Sequence, residues 1–262
     1  MWSAVQVARA CGLPWLPVDV GAPPAVADDQ GSWLRLRELT KPAAMAAHVD
    51  VIRSECDGYR DVATAFLAAR FAWPLARMAV VPVVTARRVL LFTPPDLWIR
   101  RDDRGLFNAV RVDEVSLATE AGDAGGGQEY VTSAHARAAA LAVEGYEPVV
   151  DGLRRVGWLG ARALWGQLAD ALVATVGSVL DASADPAGAA AHADLLLRTM
   201  DPPLWVRPEF ARVERRGAGG LAWRRGSCCL AYRLPWFNLC AGCPLRSRSA
   251  WLEATAERGA AE

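Results

Sequence analysis

The sequence predicts an α+β fold, predominantly helical, with two small antiparallel β-hairpins and a C-terminal segment built around four cysteines. Three observations lead there. Apolar residues recur at three- and four-residue spacing over long stretches, two pairs of short extended runs flank turns containing glycine, and Cys228, Cys229, Cys240 and Cys243 fall within sixteen residues. A chain of 262 residues, 53% apolar and without net charge, is long enough to bury a substantial core.

Residues 1–33 are rich in Pro, Gly and Asp and predict a loose lead-in with short elements. Thr40, Lys41 and Pro42 open a helix, because proline is tolerated in the first turn. It runs through Met45 and Val49 to residue 55, where Asp57 and Gly58 break it. A long helix follows over 59–79, with Val62, Phe66, Ala69, Trp73 and Ala76 on one face. Pro74 is expected to kink it and Pro82 to end it, since each removes a backbone donor. The apolar stretch 62–84 carries Arg70 and Arg77. A central arginine in a membrane span costs about 2.5–3.5 kcal/mol, so the stretch is read as a buried core helix. With no targeting segment at the N-terminus, the expected location is cytoplasmic.

Residues 89–92 and 97–100 look extended, Asp102-Asp103-Arg104-Gly105 is a turn signal, and 106–115 alternates in part, giving the first hairpin or small antiparallel sheet. The glycine-rich run 121–127 is a surface loop. No Lys-Ser or Lys-Thr pair follows it, so it is not a phosphate cradle. Helices are expected over 132–155 and 159–180, the latter with Leu164, Leu168, Leu172, Val176 and Val179 on one face. A linker over 181–188 contains Pro186, and a helix over 190–200 ends at Asp201-Pro202-Pro203. Strands over 210–215 and 221–224 form the second hairpin around the turn 217–220, and a short helix over 249–258 closes the chain. The parts are 1–130 (helical, with the first hairpin), 131–226 (helical, with the second) and 227–262 (the cysteine segment), expected to form one compact unit.

Zero net charge argues against neutralising a phosphate backbone, and no nucleic-acid partner is expected. The clustering of four cysteines, with Cys11 and Cys56 isolated, is not the pattern of a secreted disulfide framework and points instead to metal ligation. Cys240-Ala241-Gly242-Cys243 is a knuckle whose two intervening residues let both sulfurs reach one centre, with Gly242 supplying backbone freedom. Pro244 follows the last cysteine, as in bacterial ferredoxin runs. The adjacent pair Cys228-Cys229 needs a twisted backbone, because neighbouring side chains on a strand point to opposite faces. A zinc ribbon uses two spaced knuckles around one ion. A diiron cluster is wider and accepts less uniform approach, so the spacing tilts toward [2Fe–2S] while leaving a zinc-stapled binding module open. Between 207 and 248 there are nine arginines against Glu209 and Glu214, and nearby cations stabilise a thiolate-ligated cluster and raise its potential.

The run Arg225-Gly226-Ser227-Cys228-Cys229, followed by Tyr232-Arg233-Leu234-Pro235 and by Cys240-Ala241-Gly242-Cys243-Pro244, resembles the C-terminal signature of ferric-siderophore reductases of the FhuF type. The segment Leu164-Trp165-Gly166-Gln167-Leu168-Ala169 resembles a helix motif of the same family, with glutamine at 167 where asparagine is commoner. The resemblance implies that Cys228, Cys229, Cys240 and Cys243 bind a [2Fe–2S] cluster and that the protein is a cytoplasmic oxidoreductase, reducing Fe(III)–siderophore, with hydroxamates favoured, to release Fe(II). It further implies a ferredoxin-like or flavoprotein electron donor and transient contact with a siderophore importer at the inner membrane. Arg225, Arg233, Trp236, Trp98 and Arg100 are candidate substrate-binding residues, and no catalytic residue beyond the cluster ligands is required. Trp205 beside Arg207 is a further pocket candidate, and Trp236 and Phe237 are expected to shield the cluster from water. The competing reading is a [2Fe–2S] electron relay or redox sensor with another acceptor. His48, His135 and His192 are dispersed and do not form the paired motifs of a Rieske site, and Cys11 and Cys56 are read as buried small hydrophobes.

Overall fold

The computed structural model describes residues 3–13, 16–22, 32–102, 104–118, 128–180, 185–200, 208–215 and 218–258. The predicted turn at 102–105 is described except for residue 103. The glycine loop 121–127, residues 181–184 of the predicted linker, and Trp205 with Arg207 lie outside the described residues.

The fold is α+β and predominantly helical, as the apolar periodicity predicts. Helix α1 (Ala4–Ala10) sits in the lead-in and opens with a capping box. The Ser3 hydroxyl accepts from the Gln6 N–H at 3.3 Å, and the Gln6 side chain accepts from the Ser3 N–H at 2.8 Å. Strands β1 (Val18–Val20) and β2 (Ser32–Arg35) and the single-turn α2 (Leu36–Leu39) lead to α3 (Pro42–Glu55), which has proline in its first turn.

Helix α4 (Arg60–Ala86) is the centre of the molecule. It is long and apolar enough to cross a membrane, yet 78% of its most apolar window is buried by other elements. Helices α1, α3, α5 (Gln128–Val156) and α6 (Ala161–Val179) all pack on it. Pro82 does not end this helix, as the sequence predicts it should. The helix continues through Pro74 and Pro82 to a left-handed Arg87 (φ 50°). A proline in a helix costs about 3 kcal/mol. Here it is offset by the burial of Met78, Val80, Val81 and Val83 around Pro82.

The charges within α4 have separate uses. Arg77 is buried and donates to the carbonyls of Ala10, Cys11 and Gly12, the Gly12 bond at 3.0 Å, so it satisfies the end of α1. Arg70 is only half-buried. The Tyr146 hydroxyl of α5 lies 3.0 Å from the carbonyl oxygens of both Ala68 and Leu164, joining three helices in the core.

The first β region is larger than a hairpin. Strands β4 (Trp98–Arg101) and β5 (Phe107–Val112) form the hairpin around the predicted turn, with a register shift at Arg100/Arg101. Gly105 takes φ +76° there, and a Cβ on it would fall 2.7 Å from Val51 Cγ1. Strand β2 adds antiparallel to β4 and β1 adds parallel to β5, giving the order β1-β5-β4-β2. Strand β3 (Val89–Leu91) pairs instead with β6 (Ser116–Ala118). These pairings join segments far apart in sequence, which local alternation does not encode. Helix α7 (Pro186–Thr199) begins earlier than predicted, with the Asp185 side chain accepting from the Gly188 N–H at 2.8 Å and proline in the first turn. The second hairpin is present, β7 (Glu209–Arg215) with β8 (Ala218–Arg224), but its turn is tighter than the predicted 217–220: Ala218, Gly219 and Gly220 pair with Arg215, Glu214 and Val213 and extend the ladder. The cysteine segment leaves the end of β8, and α8 (Arg248–Arg258) returns to pack on the same hairpin, burying Trp251 completely.

Candidate iron–sulfur site

The chain leaves β8 and bends through Arg225-Gly226-Ser227 against α6. Asp170 and Gln167, one turn apart on that helix, hold it. The Asp170 carboxylate accepts from the Gly226 N–H at 2.7 Å, the Ser227 hydroxyl at 2.9 Å, the Arg225 Nε–H at 3.0 Å and the Ser227 N–H at 3.3 Å. Gln167 donates to the Ser227 hydroxyl at 2.9 Å and the Cys228 carbonyl at 3.3 Å, and accepts from Arg225 at 2.6 Å. Both side chains are almost fully buried. Burial pushes Asp170 up, against the Arg225 charge and the hydrogen bonds from Gly226, Arg225 and Ser227. Every hydrogen bond it makes among the described residues comes from a donor, so the carboxylate is the ionised form.

The adjacent cysteine pair is followed by the twist that the sequence demands. Leu230 adopts a left-handed conformation (φ 59°, ψ 5°) and leads into a single 3₁₀ turn, Ala231–Arg233. The Leu230 N–H points back at Cys228 Sγ at 3.4 Å, and the Ala231 N–H bonds to the Cys229 sulfur. Gly242, in the second knuckle, is needed for a different reason from backbone freedom. A Cβ there would fall 2.8 Å from the Trp223 carbonyl oxygen, and its own carbonyl accepts from the Arg225 N–H at 2.8 Å. The knuckle is thus docked against the end of β8, which brings Cys240 and Cys243 to the first pair.

All four thiols line one cavity. Cys229 and Cys240 hydrogen-bond to one another. That bond, ahead of burial, which opposes it, and the Arg225 charge, which assists, pulls Cys229 down to about 5. The same bond pushes Cys240 up, with burial adding to it. Burial also raises Cys228, with the Leu230 N–H opposing. Burial works against the Arg225 charge, but Asp170 and the Cys229 and Cys240 sulfurs outweigh it and hold the guanidinium above its usual pKa. Among the described residues, no three Cys, His, Asp or Glu side chains converge on a single-ion position. Four soft thiols around a shared space, with N–H donors and a buried cation beside them, suit a two-iron cluster better than a zinc tetrahedron.

The arginines here are mostly ties rather than an open basic face. Arg246 donates to the carbonyls of Cys240 at 2.9 Å and Leu239 at 2.7 Å. Arg224 donates to those of Pro244 at 2.6 Å and Arg246 at 2.7 Å. Arg233 pairs with Asp61 at the start of α4 and lies over the Tyr59 ring, and Arg248 pairs with Glu209.

The cavity has a volume of about 730 Å³, far more than a two-iron core fills. Its opposite wall comes from α4 and the β4–β5 hairpin: Phe66, Ala69, Arg70 and Trp73 along one helix face, with Asp102, Phe107 and Asn108. Three of the five residues of the predicted core stripe of α4, Phe66, Ala69 and Trp73, are therefore cavity wall. Phe237 of the cysteine loop reaches across, edge-on to Phe66 at 6.3 Å between centroids. Phe237 and Trp236 are 46% and 60% exposed, so they form a rim rather than a sealed cover.

Of the five candidate substrate residues, only Arg225 lines this cavity. Arg100 stands behind it, donating to the Asn108 side chain at 2.8 Å. Trp98 donates to Asp113 at 2.7 Å and lies under Arg35. Arg233 and Trp236 sit on the cysteine loop outside the lining. Cys11 and Cys56 are buried, burial pushing them up to about 12 and about 11 respectively, in keeping with inert small hydrophobes. His135 and His192 form a stacked pair with 2.9 Å between ring nitrogens, and neither lines the cavity.

A helical α+β body presenting four clustered thiols on a cavity wall defines an iron–sulfur protein, suited to electron transfer. Residues 225–245 match the family model of the FhuF 2Fe-2S C-terminal domain. Over that short segment the chain is similar to FhuF-type 2Fe-2S proteins, and its cofactor is a [2Fe–2S] cluster held by this segment. No curated protein matches the chain significantly.

Proposed function

We propose that the protein is a cytoplasmic reductase that passes one electron to an Fe(III)–siderophore chelate seated in the cavity. The observation that carries this reading is the space itself. A concave, largely apolar pocket within the 300–1,000 Å³ range of small-molecule sites shares a wall with all four cysteines.

The residues divide the work. When bound, the cluster supplies a single electron, which converts Fe(III) to Fe(II) and leaves the organic ligand intact. Phe66, Trp73 and Phe237 offer aromatic surface to the ligand, and Arg70, Asp102 and Asn108 offer polar contacts at the far wall. Arg70 and Asp102 oppose one another in charge, Asp102 offsetting the fall that burial imposes on Arg70. A tris-hydroxamate chelate is neutral and suits such a site. A tris-catecholate is trianionic, and burying it beside Asp102 and anionic sulfurs is costly. No residue needs to move a proton in the electron-transfer step. The exposed Trp236, Phe237, Tyr232 and Leu245 around the cavity suit brief contact with a ferredoxin-like or flavoprotein donor.

The test is electron paramagnetic resonance of anaerobic, reduced protein before and after one equivalent of a ferric hydroxamate. Loss of the reduced-cluster signal, with stoichiometric Fe(II) caught by a ferrous chelator, is expected. A signal that persists with every ferric siderophore, yet disappears with a protein acceptor, would replace this reading by an electron relay.

A further inference from the structure

Arg225 lines the cavity beside the cysteines and is anchored from behind by a carboxylate. Its side chain is 22% exposed and that of Asp170 6%, so their charges act through protein rather than water, where electrostatic effects are stronger. Nε bonds to Asp170 at 3.0 Å and the terminal nitrogen to Gln167 at 2.6 Å, which fixes the plane of the guanidinium. Arg225 lines the same cavity as the four sulfurs, and its charge interacts with Cys228 and Cys229 of the first pair and Cys240 of the knuckle. The neighbouring arginines 224 and 246 spend their donors on backbone carbonyls of the loop.

We propose that Arg225 sets the reduction potential of the cluster held by the four cysteines, and that Asp170 is the positioning residue that holds this charge in place and partly offsets it. A four-thiolate two-iron centre is anionic and gains a further negative charge on reduction, so a fixed cation favours the reduced state and a fixed anion disfavours it. Arg225 and Asp170 therefore act with opposite sign through one ion pair. Gln167 keeps Arg225 in place when the Asp170 charge is absent. The inference rests on the cluster and not on the identity of the acceptor.

The experiment is a potentiometric titration, followed by electron paramagnetic resonance, of anaerobically reconstituted full-length protein and three variants. R225Q is expected to shift the redox equilibrium about tenfold toward the oxidised form, ~59 mV for one electron. D170N is expected to shift it in the opposite direction, and R225K to lie closer to wild type than R225Q does. Opposite shifts are the signature, because loosening the segment and wetting the cluster would move R225Q and D170N the same way. Shifts of the same sign, or an R225Q potential equal to wild type, overturn the proposal. If R225Q fails to retain iron and sulfide, D170N decides: a rise supports the proposal, and no change or a fall overturns it. Ferric-chelate turnover does not enter this readout. Opposite shifts in a protein that reduces no ferric siderophore would leave this inference standing and remove the proposed function.

Discussion

Gly166 lies directly beneath Ser227: a Cβ on Gly166 would fall 2.5 Å from Ser227 Cβ and 3.0 Å from its hydroxyl oxygen. The helix that carries Gln167 and Asp170 can hold the entry to the cysteine pair only because nothing projects at 166. Alanine would gain about 1 kcal/mol of helix propensity, but overpacking a tight contact costs about 1–3 kcal/mol, and the contact here is with the loop rather than with a flexible side-chain end. Gly166→Ala is expected to leave the helical content unchanged while shortening the lifetime of the bound cluster in air. The decay of its visible absorbance measures this, and a lifetime equal to wild type would show that the loop has room to shift.

Gln167 makes three hydrogen bonds to the 225–228 segment and is 1% exposed. Gln167→Leu keeps the volume and leaves the Ser227, Cys228 and Arg225 groups without their partner, at a cost of roughly 1–3 kcal/mol. Gln167→Asn keeps the amide but withdraws it by one methylene, so it should fall between leucine and wild type. The thermal midpoint and the iron-to-protein ratio after gel filtration should rank the three proteins in that order.

The left-handed Leu230 follows directly on the adjacent cysteines. Such a conformation costs an L-residue about 1–2 kcal/mol, and a β-branched side chain tolerates it least. Leu230→Gly should hold iron and sulfide as well as wild type, since glycine enters this region freely. Leu230→Ile should lose them about tenfold faster, the equivalent of about 1.4 kcal/mol in a barrier. Equal retention by the isoleucine variant would mean that the turn is not needed to orient the Cys228 and Cys229 sulfurs.

The cysteine set was legible in the spacing along 228–243, and its cofactor chiefly in the likeness of that run to the FhuF signature. The long helices were legible because each buries a continuous stripe. What holds the site was not. Asp170 is the only acid in α6, surrounded by Leu168, Ala169, Ala171 and Leu172, and that isolation within an apolar run was the available signal. Its partners lie more than fifty residues away, where no local pattern points. Arg77 gave a similar signal, a charge within an apolar helix, and its partners on α1 were equally remote. The cavity wall on α4 was hidden because Phe66, Ala69 and Trp73 share the helical spacing of a core stripe. Only the packing of the cysteine loop shows that part of the stripe faces a space.

His48 gives the fold a pH dependence separate from the cluster. It is fully buried against Phe107, and its Nε2 lies 3.2 Å from an Arg101 nitrogen. Arginine only donates, so Nε2 accepts and the ring is neutral. Burial, and then the Arg101 charge, lower its pKa to about 4 from 6.5. Because the folded value lies below the unfolded one, this contribution is complete above pH ~6.5 and is lost as the pH falls toward 4. The full loss is about 3 kcal/mol. Urea midpoints of the cluster-free protein should fall across that window for wild type and much less for His48→Gln, which keeps an acceptor for Arg101. Parallel curves for the two proteins would remove His48 as the cause.

Ala69 offers a way to close the cavity without touching a cysteine. It sits on the α4 wall between Phe66 and Trp73, one turn from each, and faces the space rather than the core. Ala69→Phe adds bulk where the chelate is proposed to sit while leaving the Asp170–Arg225 anchor on α6 intact. Iron and sulfide content should be unchanged, because the hydrogen bonds that hold the cysteine segment come from α6 and from Arg224 and Arg246, not from this side chain. Oxidation of the reduced protein by a bulky ferric hydroxamate should slow by at least about tenfold, a barrier change of about 1.4 kcal/mol. Oxidation by a small outer-sphere oxidant such as ferricyanide should stay within about twofold, since it needs only to approach the partly exposed Cys228, Cys229 and Cys240. Equal slowing of both oxidants would mean that the substitution disturbs the cluster itself. No slowing of either would mean that ferric chelates take their electron from outside the cavity, across the exposed rim of Trp236 and Phe237.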